Sequence, residues 1–506
     1  MSGTSGRVLR CGEAAPRREV PEVSLPEFRQ ALLDAVSAGG RLSALFGRPD
    51  ADRVRLLAVL ADPEAGTLSL LETVVGDRYP ALTPDLPQAH LFEREIAEQW
   101  GVVPEGHPWL KPVRFHASYR PSRDAWGRTP GEEILPSVGR FLEADGEEVH
   151  EVAVGPVHAG VIEPGHFRFL CHGERVLHLE ISLGYQHRGI ERTFKGGPTM
   201  RTVHAVETLA GDTTAAHATA YAQALEALAG AIVPARGQAI RGIALELERL
   251  ANHSGDLGAL AGDIGYLPPS AHFGRIRGDF LNLTALACGS RFGRGWVRPG
   301  GSAFDLEPLR AESLSQRMET ALRDAGIAAE LLWDSSSAMA RFEGTGTLAR
   351  ADAEALGVCG VAARACGISR DARYEFPAGI FRFSQIPVST WHEGDVHARA
   401  RVRWLEIQRS AEFLRGALST LPEGPVRAPV GALAPSSIAV SLVEGWRGEI
   451  VHVAITGANG RVARYKVVDP SFRNWAGLAL AMRGEPVSDF PLCNKSFNLS
   501  YAGFDL

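Results

Sequence analysis

The sequence predicts an α+β fold: a small N-terminal module of mixed helices and strands, then a mainly helical body with small peripheral sheets. Three observations lead there. Residues 24–112 mix amphipathic and strand-like runs, whereas residues 200–340 hold long stretches with a 3.6-residue apolar period. The size agrees, because 506 residues that are 45% hydrophobic and 22% charged can bury large cores and divide into two or three domains.

Taken in order, LPEFRQALLDAVSAG is an amphipathic helix, VRLLAVLAD and GTLSLLETVV are strands, and HLFEREIAEQWGV is a second helix. Residues 1–112 therefore form one module. Residues 113–150, rich in Pro, Arg, Gly and Ser and without periodicity, are expected to be a linker or long surface segment. The body, residues 151–506, opens with a small sheet made of EVHEVAVGPVHAG, HFRFLCHG and RVLHLEISLG. Its helices follow, with ARGQAIRGIALELERLANHSGDLGALAGDIG the clearest and residues 303–333 another. Beyond residue 340 the sequence predicts Gly-rich turns and short elements. Its last strands are expected at GEIVHVAITG and RVARYKVV, joined by GANG.

Several function classes drop out. No run approaches the roughly 20 apolar residues of a membrane span, and the first residues lack a signal peptide's apolar core. A formal charge of −6 without a basic run gives no support for nucleic acid. The six cysteines form no CxxC pair, as expected of reduced thiols in the cytoplasm. No GxxxxGK[ST] or strand-linked GxGxxG suggests a nucleotide.

Chemistry concentrates in a few strings. GPVHAGVIEPGHFRF gathers His158, Glu163 and His166 around two tight turns, and SLGYQHRGIER adds Tyr185, His187, Arg188 and Glu191. Imidazoles that titrate near neutrality beside tunable carboxyls suit proton transfer, although loop histidines bonded to backbone give the same pattern. Glu246, Arg249 and His253 follow one helical stripe, which reads either as a polar cavity wall or as ion pairs on a solvated face. RFEGTGTL, GVAARACG and GDVHARARVRWLE place glycine beside arginine, which suits turns that present guanidinium groups.

Together these strings resemble one family over nearly the whole chain. HLFEREIAEQWGVVPEGHPWLKP resembles the 30-kDa-type subunit of respiratory complex I. GPVHAGVIEPGHFRF, LGYQHRGIE, ELERLANHSGDLGALAGDIGY, RFEGTGTL, ARACG, GDVHARARVRWLEIQRS and KVVDPSFRNW resemble the 49-kDa-type subunit and the large subunits of membrane-bound, energy-converting nickel-iron hydrogenases. Both signatures in one chain are similar to the fused large subunits of formate hydrogenlyase-type and hydrogenase-4-type complexes. The resemblance implies a peripheral-arm subunit on the cytoplasmic side of a membrane, attached through partners. Those partners would be an iron-sulfur subunit of the complex I 20-kDa type, a ferredoxin-like subunit and antiporter-like membrane subunits. The chain itself would bind no cofactor, with a cluster in the adjacent subunit and a quinone or other small ligand in the cavity between them.

The segment AGDTTAAHATAY departs from that family. Counting back from His217, the first cysteine pair of the hydrogenases falls on Ala210 and Thr213, and the second falls on Cys493 and Ser496 in PLCNKS. Neither a methyl nor a hydroxyl replaces a thiolate on nickel or low-spin iron. The Asp-Tyr pair of complex I falls on Ala210 and Gly211, which leaves Asp212 and Thr213 as the nearest polar substitutes. By the same resemblance Glu163 matches a proton-transfer carboxylate, His166 a quinone-assisting histidine, and Arg364 an arginine over the metal pocket. The leading expectation is a subunit without nickel, whose Glu163, His166, His187, Glu191 and Arg364 act on a cavity occupant or on protons. His158, Asp212, Thr213, His217, Glu246, Arg249 and His253 would line that cavity. The alternatives are a structural subunit and, further off, an active hydrogenase or an ordinary quinone reductase.

Overall fold

The structure is a computed structural model that describes residues 6–129, 131–136, 139–158 and 162–506. Its elements, in chain order, begin with β1 (Arg7–Leu9), β2 (Glu13–Pro16), α1 (Leu25–Ser37), β3 (Arg41–Asp50), β4 (Arg53–Asp62), β5 (Thr67–Val75) and α2 (His90–Trp100). An antiparallel sheet ordered β1-β5-β4-β3 carries α1 and α2. Ser24 caps α1 through a capping box with Glu27, and Gly101 ends α2 in the left-handed conformation. β3 was not expected from the sequence.

The body begins with β6 (Val149–Val154), β7 (His166–His172) and β8 (Arg175–Ser182), the expected small sheet, in the order β8-β7-β6. Its helices are α3 (Thr214–Ala229), α4 (Ala235–Asp263), α5 (Leu267–Cys288), α6 (Pro308–Trp333) and α7 (Val396–Ser419). α4 packs against both α5 and α7 around a core that includes Ile243, Leu250, Phe280 and Leu414. β9 (Ser437–Gly445), β10 (Gly448–Thr456) and β11 (Val462–Val468) follow, then α8 (Pro470–Ala481), α9 (Phe490–Phe497) and α10 (Tyr501–Asp505).

One expectation is corrected. The region beyond residue 340 is not all short elements, because α7 runs for 24 residues. Its period was hidden by Arg399, Arg403 and Glu406, which the helix buries alongside Ala400, Val402 and Ile407. At residues 113–115 the chain is tied to α2. The Glu98 carboxylate accepts the backbone N–H groups of Val113, Arg114 and Phe115, and Arg114 is buried against Glu95. No helix or strand occurs among the described residues from 106 to 148; residues 130, 137 and 138 of the expected linker lie outside the described residues.

β2 leaves the N-terminal module and pairs with β9, extending the last sheet to the order β11-β10-β9-β2. One apolar core runs from Phe46 and Leu57 in the first sheet to Val440, Val451 and Trp475 in the last part of the chain. The two regions fold as neighbours with a shared interior. Among the described residues no helix is long and apolar enough to cross a membrane.

Candidate functional site

The turn 210–214, at the start of α3, faces the two-residue loop of the β9–β10 hairpin, Trp446–Arg447. Gly445 pairs with Gly448 across that hairpin, which leaves only these two residues to turn the chain. Arg447 reaches the turn as a fork: Nη1 donates to Asp212 Oδ1 at 2.6 Å and Nη2 to Oδ2 at 2.8 Å. Its Nη1 also donates to Thr213 Oγ1 at 3.2 Å, and Nε donates to the Asn498 carbonyl. The guanidinium stacks 3.9 Å from the Trp446 ring centroid, while Trp446 Nε1 donates to the Asp212 carbonyl and Thr213 Oγ1. Burial alone would raise the Asp212 carboxyl, but the charge and hydrogen bonds of Arg447 hold it below its ordinary value.

Glu163 joins this pair from the loop before β7. Its carboxylate accepts the Tyr501 N–H at 3.3 Å, and burial raises it above the ordinary range against the pull of Arg447. A carboxyl held up by desolvation beside a fixed cation can take up or release a proton as local charge changes. Glu163, Asp212 and Thr213 are thus brought together. The loop residues 159–161 lie outside the described residues.

The two histidines of that loop serve its backbone. His158 Nε2 lies 3.0 Å from the Gly165 carbonyl and His166 Nδ1 3.3 Å from the Gly155 carbonyl. His187 turns elsewhere: its Nδ1 lies 2.7 Å from the Asp505 carbonyl, its ring stacks on His116, and burial with the Arg114 charge pushes it down to about 4. Arg188 clamps the carbonyls of Thr208 and Leu209, just before Ala210.

The four positions that the resemblance sets against the hydrogenase cysteines are held by Ala210, Thr213, Cys493 and Ser496. Ala210 is buried, and Thr213 Oγ1 donates to Asp212. At the second pair, Ser496 accepts from Arg399 Nε at 2.8 Å and donates to the Cys493 carbonyl. Burial raises the Cys493 thiol to about 12 against the Arg399 charge. Among the described residues no three His, Cys, Asp or Glu groups converge as ligands would.

The stripe on α4 is neither a solvated face nor the wall of an open cavity. Glu246, Arg249 and His253 are at most 1% exposed, and with Arg364 they form a sealed ionic nest around Glu406. Glu406 accepts from Arg364, Arg249 and His253, while Glu246 pairs with Arg249 and Arg373. Arg364 therefore faces carboxylates and not a metal pocket, because Glu406 and Glu444 enclose it. The nest still bears on the site. Arg249 donates to the carbonyls of Glu444 and Gly445, the last residues before Trp446, so it fixes the hairpin that presents Arg447.

Glu191 lies apart again. It pairs with Arg464 and Lys466 and accepts the Val467 N–H, in a cluster that also holds Glu95 and Arg114. Sequence reasoning missed Arg447, Glu406, Asp505 and the residues around His217. A signal existed for the first, since EGWRGE flanks Trp-Arg with the glycines of a tight hairpin.

The same chain has clear relatives. Carbon monoxide-induced hydrogenase of Rhodospirillum rubrum is 31% identical over 352 residues, which is 69% of this chain and 97% of that protein. The profile of the family described as respiratory-chain NADH dehydrogenase, 49 Kd subunit, matches residues 263–436. The chain belongs to this 49 kDa-subunit family. Formate hydrogenlyase subunit 5 of Escherichia coli is 28% identical over 489 residues, covering 92% of this chain and 85% of that one. NADH-quinone oxidoreductase subunit 4 of Thermus thermophilus is 30% identical over 392 residues, covering 71% and 95%. Relatives of this 49 kDa-type chain thus carry both hydrogenase and quinone oxidoreductase names.

Proposed function

We propose that this chain is a peripheral-arm subunit of a complex I-like, hydrogenase-related membrane complex. Its pocket of Glu163, Asp212 and Arg447, set beside the iron-sulfur cluster of a partner, couples a redox or protonation change to ion translocation. The reading excludes a nickel-iron centre in this chain on the chemistry of the donor set, since a methyl, two hydroxyls and a protonated thiol stand where four thiolates are needed. The observation that carries it is the Arg447–Asp212 fork beside a carboxyl raised by burial. Negative charge arriving near that group favours proton uptake on Glu163, and its departure favours release. The Arg447 guanidinium keeps Asp212 ionised, so one carboxyl titrates and its neighbour stays fixed. A quinone or other small ligand would meet the same guanidinium and carboxyl.

The sealed nest around Glu406 favours a second reading, that of a structural subunit, because so many ionisable groups there have no access to solvent. Glu163→Gln in the intact complex separates the two. A scaffold keeps wild-type translocation in sealed vesicles; a coupling carboxyl loses about 100-fold or more of the rate with assembly unchanged.

A further inference from the structure

Behind the pocket, four side chains that sequence reasoning did not connect form an unbroken hydrogen-bonded line. Asp469 Oδ2 lies 3.1 Å from His217 Nε2, His217 Nδ1 lies 3.1 Å from His452 Nε2, and His452 Nδ1 lies 2.8 Å from the Tyr465 hydroxyl. All four are at most 1% exposed, from α3, β10, β11 and the cap of α8. Aromatic and apolar groups jacket the line, with Phe194 edge-on to Tyr465 at 4.7 Å.

Its polarity follows from the end groups. Burial would raise Asp469, but the hydrogen bond from His217 and the charge of Arg447 hold it below its ordinary value, so it accepts. Asp469 Oδ1 is occupied by the Ser471 N–H. His217 Nε2–H therefore donates to Asp469, which leaves His217 Nδ1 to accept. His452 then donates from Nε2–H and accepts the Tyr465 O–H at Nδ1. Burial keeps His452 neutral and Tyr465 protonated. Every bond in the line points the same way.

We propose that Tyr465, His452, His217 and Asp469 form a proton wire. It links the charge cluster of Glu191, Lys466 and Glu95 to the Asp212–Arg447 pocket. The proposal rests on the proton-coupled reading of that pocket. In one passage three protons advance together: the Tyr465 O–H, His452 Nε2–H and His217 Nε2–H bonds break, and His452 Nδ1–H, His217 Nδ1–H and Asp469 O–H bonds form. Asp469 becomes neutral beside Arg447, the Tyr465 oxygen takes its replacement proton from the ammonium–carboxylate cluster, and no electron moves. The cluster sits on the residues that follow Tyr465 in the strand, where Lys466 and Val467 both bond Glu191.

Two measurements test the wire. In the full chain labelled with 15N-histidine, ring-nitrogen shifts are expected to place the proton of the His217–His452 bond on His452 Nε2, with Nδ1 of both rings unprotonated; a proton on Nδ1 of either residue overturns the polarity. The second uses the whole membrane complex in sealed vesicles with entrapped pyranine, energised with reduced methyl viologen and decylubiquinone. Tyr465→Phe, which keeps the ring and removes the proton, and His452→Gln are each expected to lower proton movement about tenfold or more and to change its D2O isotope effect. Wild-type rates and isotope effects in both variants, with Glu163→Gln inactive, would overturn the wire and leave the pocket reading standing. Wild-type rates in all three variants, or no proton movement in the wild type, would overturn both.

Discussion

Glu406→Gln removes the hub of the sealed nest while keeping its shape. The carboxylate accepts Arg364 Nε at 2.9 Å, Arg249 Nη1 at 3.1 Å and His253 Nε2 at 2.8 Å, and Arg364 Nη2 lies 2.7 Å away as an ion pair. Both arginines are at most 1% exposed, so neither can recover a lost partner from water. Breaking a buried pair in this way costs about 3–5 kcal/mol. Part is returned, because Arg364 keeps its second partner, Glu444, at 2.7 Å. The expected net loss is about 3 kcal/mol, or roughly a hundredfold in an opening equilibrium. A chain of this size need not unfold in one step, so the assay is native-state hydrogen exchange on the α4 and α7 amides. A change below about 1 kcal/mol there would refute the claim that the nest is held by charge pairing at Glu406.

Further outcomes follow from other residues. Glu248, from α4, accepts the Ala215 and Ala216 N–H groups, and burial raises its carboxyl to about 8. A raised carboxyl costs nothing below its unfolded value of about 4.3 and destabilises increasingly as pH rises toward about 8. Glu248→Gln should therefore gain about 5 kcal/mol on the wild type between about pH 4 and 8 and no more above that, read as Tm differences across pH; the opposite slope rules the shift out. Gly346 has φ +62°, and a Cβ added there would lie 2.5 Å from Cys493 Sγ. Gly346→Ala should cost about 1–3 kcal/mol by thermal melting and loosen the Arg399 contacts. All six cysteines are buried, with Cys359 and Cys493 raised to about 12 by burial. The native chain should resist iodoacetamide at about pH 8 and react fully once unfolded; rapid native labelling of Cys493 would contradict its burial.

Local pattern was the legible part of the fold. Period-2 and period-3.6 runs located α1, α2, α4, α6 and most strands, because there one face is apolar and the other polar. The pattern failed where both faces are buried or charges are interior. β9 is buried along its whole length, and α7 hides arginines inside, so neither shows the expected contrast. The same limit governed the site. Glu163, Asp212 and Thr213 could be chosen from their strings, but their partner Arg447 lies 235 positions from Asp212, and nothing local links them. Glu246, Arg249 and His253 were correctly placed on one stripe, yet whether that stripe met solvent depended on Glu406, 157 positions from Arg249. Long-range pairing decides function here, and composition does not reveal it.

The β2–β9 pairing has a consequence for how the chain is made. The thiol of Cys11 and the backbone of Leu442 exchange bonds across 431 positions, so the first strands emerge from the ribosome long before their partner exists. At about 5–20 residues per second, that wait is roughly 20–90 seconds. During it, an edge of apolar strand and the open side of the first sheet face solvent, exposed to mispairing and to chaperones. Slow closure of this seam, more than any step inside the helical body, should set the time at which a newborn chain becomes competent to assemble.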